Sequence, residues 1–220
     1  MTAKIHRYAF SLTAANLPAM PNEEGLRALK KRRTRHDIVA ATIELTIEHS
    51  YRGTTIAMIA ERALVSPRTV STYFPNKDEI PFDGREEALE DLAARLQERE
   101  VPLIERLRQW IADRESERDE EFEVLRAKAI TGDPDLRLAE HRYLDSFADL
   151  VATAVAEEVG IGPDEPGPQI FAAAFVGVLL ALRTSLAADA SSLTPEDYLD
   201  SGFKFLESGL AALRRGAATV

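Results

Sequence analysis

The segment from Thr54 to Phe74, TTIAMIAERALVSPRTVSTYF, constrains the fold of this 220-residue chain more than any other. Ile56, Ile59, Ala60 and Ala63 fall on one side of a short helix that Thr54-Thr55 can cap through a hydroxyl. Leu64-Val65 reads as a turn. Ser66-Pro67 opens the next helix, because Ser is a favoured N-cap and Pro a favoured first helical residue. That helix ends near Phe74, since Pro75 disfavours helical geometry in the residue before it. Two short helices joined by about four residues must cross steeply to bury a shared core. Such a crossing needs a small residue at the contact, Ala60, and apolar residues on both sides of the turn, here Ile59, Val65 and Val70. The outer side of the second helix then carries Arg68, Thr69, Ser71 and Thr72, polar groups suited to base edges and phosphates in a DNA major groove. An ordinary helical hairpin with solvent-facing polar residues would present the same pattern.

The charge distribution weighs between these readings. A net charge of −10 argues against a polyanion partner, but the charge is not spread evenly. Residues 1–80 carry 12 Lys and Arg against 8 Asp and Glu, and the remainder carries 15 against 29. A basic front joined to an acidic body suggests two functional units. In the front, Ile38, Ala41 and Leu45 recur at helical spacing with Thr42 and Thr46 and predict a helix over 36–49. The run Arg27, Lys30, Lys31, Arg32, Arg33, Arg35 precedes it. It reads as an arm that follows the DNA backbone or enters a minor groove, with a solvated tail as the plainer account. Helix N-termini at Thr55, Ser66 and Lys77 would add backbone N–H groups for phosphates. Residues 1–20 show no clear periodicity and are read as a flexible extension, with Met20 as a second candidate start.

The segment from Arg35 to Ile80 resembles the DNA-binding domain of TetR-family (tetracycline-repressor-like) regulators. The matching residues are Arg35, Ile38, Ala41, Leu45, Glu48, Thr54-Thr55, Ile59-Ala60, Ala63, Val65-Ser66, Thr69, Tyr73-Phe74, Lys77 and Ile80. The resemblance implies a cytoplasmic homodimer whose front domains read a palindromic double-stranded operator and whose C-terminal domain senses a small molecule. DNA contacts are expected from Arg32, Arg33, Arg35, Thr55, Ser66, Pro67, Arg68, Thr69, Ser71, Thr72, Tyr73 and Lys77. Two positions depart from the family pattern: Leu64 stands where Gly is usual, and Ser71 where an aromatic residue is common.

Beyond residue 80 the chain reads as helix throughout. Apolar stripes run over 88–96, 103–111, 122–130, 136–159, 170–186 and 198–213, broken at Gly132-Asp133-Pro134, 160–168 and 187–193. The expected fold is therefore all-α: an extension over 1–28, a three-helix helix-turn-helix domain over 29–77, and an antiparallel helical bundle for ligand binding and dimerisation over 78–220. Thr194-Pro195-Glu196-Asp197 is close to a capping box. Leu199, Phe203, Leu206 and Leu210 on the last helix, with Phe171, Val178 and Leu182 on the one before, form narrow seams; by the resemblance these are the dimer interface. The middle helices offer Leu107, Trp110, Phe122, Phe147, Val151 and Phe175 as pocket candidates, although such stripes are more often plain core. The string from Ala127 to Gly160 also resembles the C-terminal domain of actinobacterial regulators of the mycofactocin group, some of which sense acyl-coenzyme A thioesters. That suggests a small hydrophobic ligand and no cofactor.

Several classes are not expected. Cysteine is absent, so no disulfide framework, Cys-based zinc site or thiol nucleophile is available. The charge-free stretch from Pro166 to Leu182 is short and polar at its start for a membrane span, which needs about 20 apolar residues. No phosphate-binding loop, dinucleotide fingerprint or nucleophile elbow is present. His141, with Glu140 beside it and Asp145 four residues on, lacks the third group a metal or catalytic site needs, so an enzyme is not expected. The alternative from another class is a helical ligand-binding or protein-interaction module that does not bind DNA.

Overall fold

The structure, a computed structural model, describes residues 23–116, 119–188 and 193–217. The expected extension and the candidate start at Met20 lie outside them. The described residues form nine α-helices and a single 3₁₀ turn, with no strand. The helices are α1 (Glu23–His49), α2 (Ile56–Arg62), α3 (Pro67–Tyr73), α4 (Arg85–Leu96), α5 (Leu103–Ser116), α6 (Glu120–Gly132), α7 (Pro134–Val159), α8 (Pro166–Ala187) and α9 (Pro195–Ala217); the 3₁₀ turn is Lys77–Phe82.

The caps read at Thr55, Ser66 and Thr194 are formed. Thr55 Oγ1 accepts from the Met58 N–H at 3.3 Å, and Ser66 Oγ accepts from the Thr69 N–H at 3.0 Å with Pro67 in the first helical position. Thr194 and Asp197 cap α9 reciprocally, since Asp197 Oδ2 accepts from the Thr194 N–H at 2.7 Å and Thr194 Oγ1 from the Asp197 N–H at 3.3 Å. Asp133 opens α7 by accepting from the N–H groups of Asp135 and Leu136, and Gly160 closes it with a φ of 75°.

One element differs from expectation. The basic run is not an extended arm ahead of the first helix but its first half: α1 begins at Glu23 and runs unbroken to His49. Lys, Arg, Leu and Ala are all good helix formers, and no breaker separates Gly25 from His49. The expected boundary at residue 28 thus falls inside α1.

Three cores hold the helices. Ile38, Val39, Leu45, Ile59, Ala60, Val70, Phe74 and Ile80 fuse α1, α2, α3 and the 3₁₀ turn into one unit, with Ala129 of α6 buried in the same cluster. A larger core joins α4, α5, α7, α8 and α9 through Leu92, Leu107, Phe147, Val155, Phe175 and Phe203. Between them, Tyr51, Phe82, Ile130, Leu136 and Ala139 form a small third cluster. By length and composition α8 is apolar enough to cross a membrane, more so than its charge-free stretch suggests. Here it packs against α6, α7 and α9.

Candidate nucleic-acid interface and internal cavity

The turn between α2 and α3 sets the aim of α3. Val65 N–H reaches the Ala60 carbonyl at 2.9 Å and Leu64 N–H reaches that of Glu61 at 3.2 Å. This pairing is the Schellman arrangement, which places the intervening residue in the left-handed region. Leu64 accordingly has a φ of 56°, and its side chain is 92% exposed. The turn therefore bears the strain cost of a non-Gly residue, about 1–2 kcal/mol.

α3 presents two unlike sides. Val70 and Phe74 are buried in the shared core, whereas Arg68, Ser71 and Thr72 are exposed. Thr55, Ser66 and Pro67 are exposed at the starts of α2 and α3, and Tyr73 is half-buried against the core. Thr69 is also half-buried, its hydroxyl 2.8 Å from that of Ser66, so it serves the cap as well as the surface. On α1, Arg32 and Arg33 are exposed, Arg33 lying 4.0 Å from Asp37.

Two of the expected DNA contacts, Arg35 and Lys77, also make contacts within the protomer. Arg35 pairs with Asp83 at 2.6 Å and lies 4.6 Å over the Phe74 ring. Lys77 Nζ donates to the carbonyls of Tyr51 and Thr54, both at 3.0 Å, and sits 4.1 Å over the Tyr51 ring. The reason is geometric: the loop between α1 and α2 leaves carbonyls without helical partners, and Lys77 is the cation within reach. The Tyr51 hydroxyl in turn donates to Asp78 at 2.5 Å, and the Tyr51 N–H to Asp133 at 2.7 Å. Burial, then the adjacent Asp78 carboxylate, hold the Tyr51 phenol well above its ordinary pKa. These contacts tie the entry to α2 to the 3₁₀ turn and to the α6–α7 junction.

A cavity of about 110 Å³ opens among the 3₁₀ turn, α4, α5, α6, α7 and α8. Of the six pocket candidates, Trp110 and Phe147 line it. Leu107, Val151 and Phe175 are buried in the bundle core instead, and Phe122 leaves the bundle altogether to stack on His36 of α1 at a centroid distance of 4.9 Å. Helical spacing alone does not distinguish the wall of a cavity from the core behind it. The cavity's polar residues were missed by the sequence reading. Glu140 pairs with Arg183 at 2.6 Å and accepts a hydrogen bond from Arg85 at 3.4 Å. Arg85 also lies 4.2 Å from the Phe82 ring centroid and 4.7 Å from that of Tyr143. A trace was present in the sequence: along α7, positions 136, 140, 144, 147 and 151 read Leu, Glu, Leu, Phe, Val, so a carboxylate occupies a core position. His141 and Asp145, by contrast, are exposed. Among the described residues no group of three His, Asp or Glu is placed to hold a metal ion.

The expected dimer seam is also placed differently. Phe171, Val178, Leu182, Phe203, Leu206 and Leu210 are buried within the protomer, and Leu199 is partly so. A stripe at helical spacing marks the buried face of a helix, whichever chain does the burying. The apolar surface that α8 and α9 leave open is a groove edged by Gly167, Ile170, Ala174, Phe205, Gly209 and Leu213; Ile170 is 69% exposed and Phe205 66%.

Comparison with known proteins fits this architecture. The family described as bacterial regulatory proteins, tetR family, matches residues 38–81. The family described as the MftR C-terminal domain matches residues 101–211. The HTH-type transcriptional regulator TcmR of Streptomyces glaucescens is 39% identical over 71 residues, a match that spans 31% of this chain and only 31% of TcmR. Among solved structures, FadR of Bacillus subtilis in complex with stearoyl-CoA has 18% identity and a TM-score of 0.55, covering 79% of this chain and 98% of that one. FadR of Thermus thermophilus in complex with lauroyl-CoA has 19% identity and a TM-score of 0.52, covering 80% and 94%. NalD of Pseudomonas aeruginosa, the secondary repressor of the MexAB-OprM efflux pump, has 20% identity and a TM-score of 0.55, covering 82% and 97%. At these identities the structural likeness speaks for the fold. With its helix-turn-helix at the front and more than a hundred residues matched behind it, the chain belongs to the TetR family of bacterial regulatory proteins and carries a C-terminal domain of the MftR type.

Proposed function

We propose that the protein is a cytoplasmic transcriptional repressor that binds a palindromic operator as a homodimer and is released by a small, largely apolar ligand. In this reading α1, α2, α3 and the 3₁₀ turn form the DNA-binding unit, and α4 to α9 form the sensing and dimerising one. The observation that carries it is the two-sided α3: Val70 and Phe74 anchor the helix, while Arg68, Ser71 and Thr72 stand exposed on the other side. Exposed Arg32 and Arg33 on α1 add charge for the phosphate backbone.

The sensing role rests on the cavity and on its position. It is walled by residues 81–85, the end of the 3₁₀ turn and the residues that lead into α4, and that turn shares a core with α1 and α3. A ligand that favours one setting of α4 shifts the population of dimers by altering the separation of the two recognition helices. That separation must match DNA half-sites spaced at roughly 34–36 Å or a multiple of it. The acyl-CoA complexes of the two FadR proteins make acyl thioesters reasonable members of a first ligand screen.

The test is binding to a random duplex at two salt concentrations, followed by capture and sequencing of bound genomic fragments. A DNA-binding protein loses affinity steeply as salt rises, by about 0.9 log units per log unit of salt for each phosphate contact. Affinity absent at low salt, with no fragment enriched, would leave the protein as a helical ligand-binding module.

A further inference from the structure

Glu140 is almost wholly buried, yet it is not matched one to one. A single oxygen of its carboxylate receives both Arg183 and Arg85, at 2.6 and 3.4 Å, and both guanidiniums are themselves largely shielded from solvent. Two cations therefore share this one carboxylate oxygen, in a cavity wall that also holds the Arg126–Glu123 pair at 3.3 Å. The strain is visible on Arg85: burial first, then repulsion from Arg183, pushes its guanidinium down to about 9, with Arg126 acting in the same sense. It is still a cation at neutral pH. Each guanidinium carries five N–H donors in a planar fork, so the pair has far more donor capacity than Glu140 can absorb. A surplus buried cation of this kind is costly for folding unless a counter-charge arrives.

The surroundings indicate what that counter-charge is attached to. Beside the arginines the cavity is walled by Trp110, Leu144, Phe147, Leu179 and Leu182. Its volume of about 110 Å³ is small. One water needs roughly 10–15 Å³ on the same scale, so the space takes a molecule of a few carbons or the head of a longer one.

We propose that this cavity accepts a small amphiphile with a single negative charge, a carboxylate held by Arg85 and Arg183 with its hydrocarbon against Trp110 and Phe147. The proposal rests on the reading of the cavity as a ligand site and specifies its chemistry. Glu140 holds the two guanidiniums ready and competes with the ligand for them.

The experiment uses hexanoate and its neutral counterpart 1-hexanol on the full-length protein, following the fluorescence of Trp110, the chain's single tryptophan. Hexanoate is expected to bind saturably and about tenfold or more tighter than hexanol, as charge-assisted hydrogen bonds to buried guanidiniums require. Arg183→Gln should weaken hexanoate about tenfold and leave hexanol unchanged, whereas Glu140→Gln should tighten hexanoate, because a competing carboxylate is gone. A purely structural triad predicts no such opposition. Hexyl phosphate separates the two anion chemistries; if it binds tighter than hexanoate, the site is a phosphate site and the carboxylate assignment fails. Equal binding of hexanoate and hexanol by the unmodified protein overturns the proposal without recourse to variants. Operator affinity is measured in parallel. Hexanoate binding without DNA release would defeat the ligand-responsive reading and leave the anion site standing. Release by a neutral compound with no hexanoate binding would do the reverse.

Discussion

Arg35 Nε donates to Asp83 Oδ1 at 2.7 Å, and Nη2 of the same guanidinium lies 2.6 Å from that oxygen. Arg35 belongs to α1, while Asp83 is followed by Gly84 and Arg85 in the cavity wall. This pair thus bridges the helix-turn-helix core and the cavity, and it places Arg35 on the structural side of the ledger of basic residues. A double-mutant cycle on Arg35→Gln and Asp83→Asn should give a coupling of about 0.5–1 kcal/mol in stability, reduced from a buried pair's value because Arg35 is partly solvated. In DNA titrations Arg33→Gln should lower the salt slope by about one unit, and Arg35→Gln should not.

Recognition and support separate in the same way on α3 and the turn after it. Arg68→Ala should weaken specific operator binding by about 1–3 kcal/mol and leave the melting temperature unchanged, since its side chain is exposed. Lys77→Met should act oppositely, lowering thermal stability because the Thr54 carbonyl loses its side-chain donor and the Tyr51 carbonyl keeps only the Thr54 N–H. A Lys77 variant with undiminished stability but a lower salt slope would return that residue to the DNA.

Leu64 offers a gain in stability. Its φ of 56° strains a non-Gly residue, and its side chain buries almost nothing. Leu64→Gly relieves about 1–2 kcal/mol of strain and gives back part of it through the greater freedom of glycine in the unfolded chain. The expected rise in melting temperature is about 1–4 °C. A fall would mean that the leucine makes a contact on the exposed face that the free protomer does not reveal.

The dimer surface can be told from the core by two pairs of substitutions. Ile170→Glu with Phe205→Glu places charge on exposed apolar positions and should yield folded monomers by light scattering. Leu206→Glu with Leu210→Glu buries carboxylates within the protomer and should unfold it, each costing several kcal/mol. A folded dimer carrying both surface changes would move the interface away from α8 and α9.

Arg85 is expected to trade stability for binding. Its folded-state pKa lies below the ordinary arginine value, so the unfolded chain holds the proton more tightly. Burial and the neighbouring Arg183 cation disfavour the charged form of Arg85, so the cation costs stability at neutral pH. Arg85→Met removes the surplus cation, leaves Glu140 paired with Arg183, and should keep or raise the melting temperature at pH 7 while abolishing hexanoate binding. Marked destabilisation would show that the stacking of Arg85 on Phe82 and Tyr143 outweighs the charge surplus.

The local chemistry of this protein is written in consecutive residues. Thr55, Ser66-Pro67, Asp133-Pro134 and Thr194-Pro195 each start a helix through an oxygen or a ring a few atoms away, so caps and helix order follow from the sequence. The inward Val70 and Phe74 and the outward Arg68, Ser71 and Thr72 follow likewise, because a helix repeats every 3.6 residues. Three further matters needed the fold, since each depends on partners far apart in the chain. That Arg35 and Lys77 also hold Asp83, Tyr51 and Thr54 is visible only in the fold. Leu206 and Leu210 look like a seam until α5, α7 and α8 are packed over it, which leaves Ile170 and Phe205 as the open surface. Glu140 is only an odd carboxylate in a leucine stripe until Arg85 and Arg183, 55 and 43 residues away, meet on one of its oxygens. Periodicity tells which face of a helix is buried, but the neighbour that buries it, and the charge that neighbour brings, come from tertiary packing alone.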